Sequence, residues 1–325
     1  MQLKNSQLQI FVDSIKLRRE NMPKYRDQFN NLISRLEDKI HEDESTGLKV
    51  TKVIRAGSWK KGTILRSTGD NPIDVDLVFV IEGDDAKKDD IEKLHDFVVQ
   101  YLEDIYPTKD ISKDVDADGK TKAVKIVFIN TGLEVDIVPV VPIENHEDYV
   151  WQPERGGGGT YTTSIIRQID FSKERKNVNP NIASIIRIIK WWNNYMELDD
   201  FMPSFAIELI ISYLDLAKGT ESNIEEAIIR FFQYTSSGKI DEINFKDAIN
   251  EIPDYNTPLF IGDPANNENN IARKISEQNW KEFENEALNA FETLNIAQSL
   301  SSENATVEEW KTVFGPKFKI KKEEE

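Results

Sequence analysis

Two strand-length runs, IDVDLVFVI at residues 73–81 and LEVDIVPVV at residues 133–141, constrain what this chain can fold into more than any other feature. The second half of each is almost continuously apolar, as in a strand buried within a sheet. The first half of each carries carboxylates. Residues two apart on a strand point to the same side, so Asp74 and Asp76 project together, their backbones roughly 7 Å apart, and Glu134 shares a face with Asp136. Aspartate is disfavoured in strands, which leaves two readings. Either one aspartate of the first run faces solvent while the other caps a turn, or the group is held close together and compensated by cations or metal.

The surrounding pattern is mixed. Residues 3–41 carry apolar positions at helical spacing (Leu8, Phe11, Val12, Ile15, then Phe29, Leu32, Ile33, Leu36, Ile40) interrupted at Pro23, which predicts two helices or one kinked helix. A strand is expected over 48–56, a short helix after it, and an amphipathic helix over 91–106 stopped by Pro107. The strand KAVKIVFI joins the second diagnostic run through Asn130-Thr131-Gly132, a hairpin turn. Beyond about residue 180, helical patterns dominate, at 181–196, 203–217, 224–234, 271–294 and 307–314. The fold class is therefore α+β. A chain of 325 residues exceeds what one core usually supports, so two lobes are expected, 1–150 with the sheet and the N-terminal helices and 151–325 helical. The run ERGGGGT lies at that boundary, and the entropy lost on ordering four glycines favours a hinge there over a phosphate cradle. The terminal KKEEE reads as a solvated end.

The chain contains no cysteine, and its three histidines, His41, His95 and His146, are far apart without metal-ligand spacing. Disulfides and thiolate sites drop out, and zinc chemistry has no support. Buried carboxylates on adjacent strands repel one another unless a divalent cation or a proton neutralises them. Oxygen ligands without nitrogen or sulfur indicate Mg²⁺, with Mn²⁺ as the alternative. Three aspartates on two strands, such as Asp74, Asp76 and Asp136, can hold two such ions, the arrangement that clamps the attacking and leaving oxygens of an in-line phosphoryl transfer. GSWKKGT, residues 57–63, stands just upstream at a strand-to-helix turn. Its backbone N–H groups and serine hydroxyl suit phosphate, but glycine turns are common and the stretch carries little weight alone. Its weight comes from the aspartates that follow it.

The order GS-x-x-x-G-T, D-x-D, then a third strand aspartate resembles the nucleotidyltransferases of the DNA polymerase β superfamily. IIRIIKWWNN, FMPSFAIELIISY and PLFIGDPANNENNIAR look like the matching segments of 2'-5'-oligoadenylate synthetases and the bacterial CD-NTases, relatives of cyclic GMP-AMP synthase. The resemblance implies a polymerase β-like sheet lobe, a C-terminal helical lobe, and N-terminal helices bridging them. It implies that Gly57 and Ser58 bind the triphosphate, that Asp74, Asp76 and Asp136 hold the two Mg²⁺ ions, and that Asp136 helps activate the attacking ribose hydroxyl. Lys190 and Ser204 would reach the nucleotide's phosphates from the helical lobe. The implied activity joins ATP and other nucleoside triphosphates into a cyclic or linear oligonucleotide second messenger, with release of pyrophosphate, in bacterial anti-phage (CBASS) signalling. A downstream effector would bind the product.

Arg187, Lys190 and Asn194 form one polar stripe on an otherwise apolar helix, which suits a cleft as well as a solvent face, while Trp191 and Trp192 read as core. Asp70 beside Gly69 and Asn71 reads as a turn residue. The net charge of −17 opposes constitutive nucleic-acid binding, so an activating RNA would need the local basic surface of Lys16, Arg18, Arg19, Lys24 and Arg26. No run of about 18 apolar residues and no signal-like N-terminus occur, so a cytoplasmic protein without a membrane partner is expected. Two rival functions share the residues: an RNA-tailing polymerase of the poly(A) or CCA-adding type, and an inactive nucleotide-sensing module.

Overall fold

The computed structural model describes residues 1–68, 72–83, 93–113, 121–154 and 159–321. The expectations for Asp70, for the glycines at 156–158, for the first residues of the helix at 91–106 and for the end of the tail lie outside the described residues. Two compact units account for the chain, Leu17–Asp170 and the pair Met1–Lys16 with Phe171–Glu325. This division replaces the expected 1–150 and 151–325. Helix α1 (Asn5–Ile15) buries Leu8, Phe11, Val12 and Ile15 within the helical unit, where the Phe11 ring meets Trp191, Phe314 and Phe318. The predicted helix break also moves. The chain is extended at Lys16 and makes a 3₁₀ turn at Arg19–Asn21, and Pro23 sits in the first turn of α2 (Met22–Glu42), where its missing N–H costs no helical hydrogen bond.

The sheet unit runs β1 (Lys49–Arg55), α3 (Gly57–Lys61), β2 (Ile73–Glu82), α4 (Lys93–Ile105), β3 (Asp110–Lys113), β4 (Val124–Phe128), β5 (Leu133–Pro142), β6 (Val150–Glu154) and β7 (Gly159–Thr163). The strand order is β1-β2-β5-β4-β3, with β6 pairing β5 and β7. β2 and β5, the two diagnostic runs, lie side by side and parallel. Their alternation explains the site. Odd residues of each strand, such as Val75, Leu77 and Phe79 or Val135 and Ile137, enter one core with Leu32 and Leu36 of α2 and Leu94 and Val98 of α4. Even residues take the other face, where Val78, Val80, Val138 and Val140 form a second apolar cluster. Asp74, Asp76, Glu134 and Asp136 are the earlier even residues, so the face that is greasy at one end is carboxylate-lined at the other.

Helix α5 (Ile165–Val178) follows the sheet; its weak pattern, with only Ile165 buried, hid it from periodicity. The helical unit continues with α6 (Ile182–Tyr195), α7 (Ser204–Ala217), α8 (Ile224–Thr235), β8 (Gly262–Asp263), β9 (Asn266–Asn270), α9 (Glu277–Ser299) and α10 (Glu303–Phe314). Helix α9 starts six residues later than the apolar pattern suggested. Asn267 and Asn270 draw the preceding chain into a hydrogen-bonded loop through Phe245, Ile261 and Ala272, and the Ser276 side chain caps the helix by accepting from the Asn279 N–H. Among the described residues no helix is long and apolar enough to cross a membrane.

One buried carboxyl in this unit makes stability depend on pH. Glu225 of α8 is fully buried and accepts from the Leu3 N–H. Burial pushes its carboxyl from the ordinary 4.5 up to about 7. A raised folded-state value means the group favours folding most below 4.5, and that contribution is lost as pH rises through about 7. Glu225→Gln keeps an acceptor for Leu3 and removes the ionisation. Thermal melts should show the variant more stable than the parent at about pH 8, by up to ~3 kcal/mol, with the advantage gone near pH 4. Equal pH dependence in both proteins would contradict this.

Candidate active site

The parallel register sets Asp76 opposite Asp136 and Asp74 opposite Glu134. One carboxylate oxygen from each of Asp74, Asp76 and Asp136 lies within 4.8 Å of the other two, and all three residues are half-buried. The solvent-facing reading of the first pair therefore falls away. On the far side of β5, β4 places Lys125 opposite Asp136. The Lys125 ammonium is 2.9 Å from Glu134 Oε2 and 4.0 Å from Asp136 Oδ1.

Burial pushes the Asp74 carboxyl well above the usual carboxylate range, and the charges of Asp76 and Asp136 push it further, with Lys125 opposing them in part. Burial on its own would lower Lys125, but Asp136 and Glu134 outweigh it and its pKa is raised. Asp74 Oδ1 is buried with no hydrogen-bond partner among the described residues. A buried carboxylate oxygen left in this way costs free energy that a cation would recover. Three convergent oxygen donors with an orphaned lone pair fit a hard divalent ion, Mg²⁺ or Mn²⁺, and suit no softer metal.

Gly57 belongs to this cluster for a reason sequence reasoning missed. Its φ is +54°, and a Cβ placed there would stand 1.6 Å from Asp76 Oδ2 and 2.5 Å from its Cγ. Absence of a side chain at residue 57 is what lets Asp76 occupy its position. The Ala56 N–H donates to the Asp76 carbonyl at 2.9 Å, tying the start of α3 to β2. The turn then closes tightly, with the Thr63 N–H donating to the Ser58 carbonyl and Gly62 in the left-handed region, and Trp59 packs edge-on against Phe29. Ser58 is half-buried at the first turn of α3.

Lys190 and Ser204 lie in the helical unit. Lys190 is buried on α6, its Nζ 3.7 Å from Glu208 Oε1 on α7, and Ser204 is the half-buried first residue of α7. Trp191 and Trp192 are core residues: the Trp191 indole donates to the Phe314 carbonyl, and Trp192 packs against Phe232 and Phe283. Of the N-terminal basic residues, Lys16 pairs with Asp13, Arg18 with Glu20, and Lys24 covers the Tyr25 ring.

A parallel strand pair presenting three carboxylates beside a Gly-Ser turn is a framework for metal-assisted phosphoryl transfer. Residues 1–175 match the family described as the Second Messenger Oligonucleotide or Dinucleotide Synthetase domain. The chain is 32% identical over 321 residues to the CBASS oligonucleotide cyclase CdnC of Escherichia coli strain KTE188, covering 98% of this chain and 99% of that one. It is likewise 32% identical to the cyclic AMP-AMP-AMP synthase of Escherichia coli strain MS 115-1, covering 94% of each. A solved structure of E. coli MS115-1 CdnC with ATP superposes with a TM-score of 0.79 at 29% identity, covering 98% of this chain and 99% of that one. The chain belongs to this synthetase family, the CD-NTases, and is a nucleotidyltransferase that makes a cyclic oligonucleotide second messenger in CBASS signalling.

Proposed function

We propose that the enzyme polymerises and then cyclises ATP, with Asp74, Asp76 and Asp136 holding two Mg²⁺ ions and Gly57 and Ser58 receiving the triphosphate. The convergence of the three carboxylates within 4.8 Å carries this reading. Bound there, the ions would neutralise charge on the transferring phosphoryl group and acidify the attacking hydroxyl. Asp136, in register with Asp76, would aim the ribose hydroxyl at the α-phosphorus and take its proton; the new P–O bond forms as the bond to pyrophosphate breaks. The backbone N–H groups that follow Gly57 hold the departing phosphates; Lys190 and Ser204 are the further nucleotide-binding residues that the family resemblance implies. The choice of ATP is supported by the relatives described above. Synthesis is assigned to the cytoplasm, where nucleoside triphosphates are made, and the product to a downstream effector.

Incubation with the four ribonucleoside triphosphates and Mg²⁺ tests the proposal, with products analysed by mass spectrometry before and after phosphatase. The expected product contains only AMP units, resists phosphatase and accumulates with pyrophosphate. Extension of added RNA instead would identify a tailing enzyme, and metal-dependent nucleotide binding without turnover an inactive sensor. A parallel reaction with double-stranded RNA tests the basic N-terminal surface as an activator site. Stimulation there should fall steeply with salt.

A further inference from the structure

A fourth carboxylate shares the face of the aspartate cluster. Glu134 lies two residues before Asp136 on β5 and in register with Asp74 on β2, yet it is not among the carboxylates that converge within 4.8 Å. Its oxygen is 2.9 Å from the Lys125 ammonium, the length of a charge-assisted hydrogen bond. The same ammonium is 4.0 Å from Asp136 Oδ1, close enough to attract it without a hydrogen bond. Lys125 reaches both because β4 and β5 pair antiparallel with Lys125 directly across from Asp136.

The geometry points to Lys125 as a positioning residue of the metal centre: it holds Glu134 off the ions, so that three aspartates and not four carboxylates form the ligand set, and it steadies Asp136 from behind. The inference rests on the reading of Asp74, Asp76 and Asp136 as metal ligands. Side chains that orient metal ligands commonly change affinity or activity by about 10–100-fold when removed. Lys125 differs from most of them in carrying a positive charge, which opposes cation binding at the site it organises. Removing it therefore has two separable effects. The site gains net negative charge and a fourth carboxylate that is free to swing in, so it should bind a divalent ion more tightly. The geometry needed for transfer is spoiled.

The test measures Mn²⁺ binding by electron paramagnetic resonance alongside turnover of ATP. Lys125→Gln should tighten Mn²⁺ by roughly 3- to 10-fold, from the lost cationic repulsion, and lower kcat by about 10-fold or more, with KM for ATP little changed. Lys125→Arg should restore kcat in part. The double variant Lys125→Gln/Glu134→Gln, which restores the local charge and removes the intruding carboxylate, should return Mn²⁺ affinity toward that of the parent and recover kcat above the single variant. Thermal melts of all three establish that they fold. Weaker or unchanged Mn²⁺ binding in Lys125→Gln, or a double variant no better than the single one, would overturn the inference. Asp136→Asn run in parallel separates the two levels: parental Mn²⁺ affinity in that variant would remove the metal-ligand reading itself.

Discussion

Asp74→Asn and Asp136→Asn should each lower pyrophosphate release by at least about 10³-fold, more than the 10–100-fold that follows loss of a ligand's supporting partner, while leaving the chain folded. Asparagine fills nearly the volume of aspartate but supplies no charge to a hard cation, and its amide nitrogen cannot ligate one. The fold should tolerate the change because the parent site is strained by its own charges. Asp74 is held well above the usual carboxylate range by burial and by Asp76 and Asp136. A group whose folded-state pKa is raised favours folding at low pH and opposes it at neutral pH. In metal-free buffer near neutrality, Asp74→Asn should therefore melt no lower than the parent. Adding Mg²⁺ should raise the parent's melting temperature and leave both variants unmoved, because a ligand stabilises only the state that binds it. An active variant, or one stabilised by Mg²⁺ like the parent, would contradict the assignment.

Gly57→Ala should be nearly as damaging to activity, although it touches no charge. The added Cβ would stand 1.6 Å from Asp76 Oδ2, a distance no rotamer adjustment of the alanine can relieve. Alanine at φ +54° also costs about 1 kcal/mol or more. The Asp76 backbone has little freedom to retreat, since its carbonyl accepts from Ala56 and its strand is paired on both sides by β1 and β5. The side chain must therefore leave the cluster. Turnover should fall by at least about 10²-fold and Mn²⁺ binding should weaken with it, while the melting temperature drops only a few degrees. Parental kcat in Gly57→Ala would mean that Asp76 can act from another position.

Local patterns were legible in the sequence and long-range neighbours were not. The near-continuous apolar runs in IDVDLVFVI and LEVDIVPVV marked the strands, and the period of two put Asp74 with Asp76, and Glu134 with Asp136, on one side. Asp136 joins Asp74 and Asp76 as a carboxylate on a second apolar strand, and the family resemblance implies the same trio, but the parallel register of β2 and β5 that sets Asp136 beside Asp76 is tertiary pairing that no spacing encodes. Gly57 was visible as a turn residue, but the need for empty space beside Asp76 arises only once α3 lies against β2. Lys125 carries no signal in the sequence by itself and acquires meaning only from its cross-strand partner. Helix α1 was assigned to the sheet lobe because it is near in sequence, whereas Phe11 packs among rings contributed by residues 191, 314 and 318.

Anomalous diffraction from crystals grown with Mn²⁺ and a non-hydrolysable ATP analogue addresses the three-aspartate centre most directly. Two manganese peaks are expected, bridged by oxygens of Asp74, Asp76 and Asp136 and touching the triphosphate, with Glu134 still on Lys125. Manganese bound elsewhere, or nucleotide bound without any of the three aspartates near its phosphates, would contradict it.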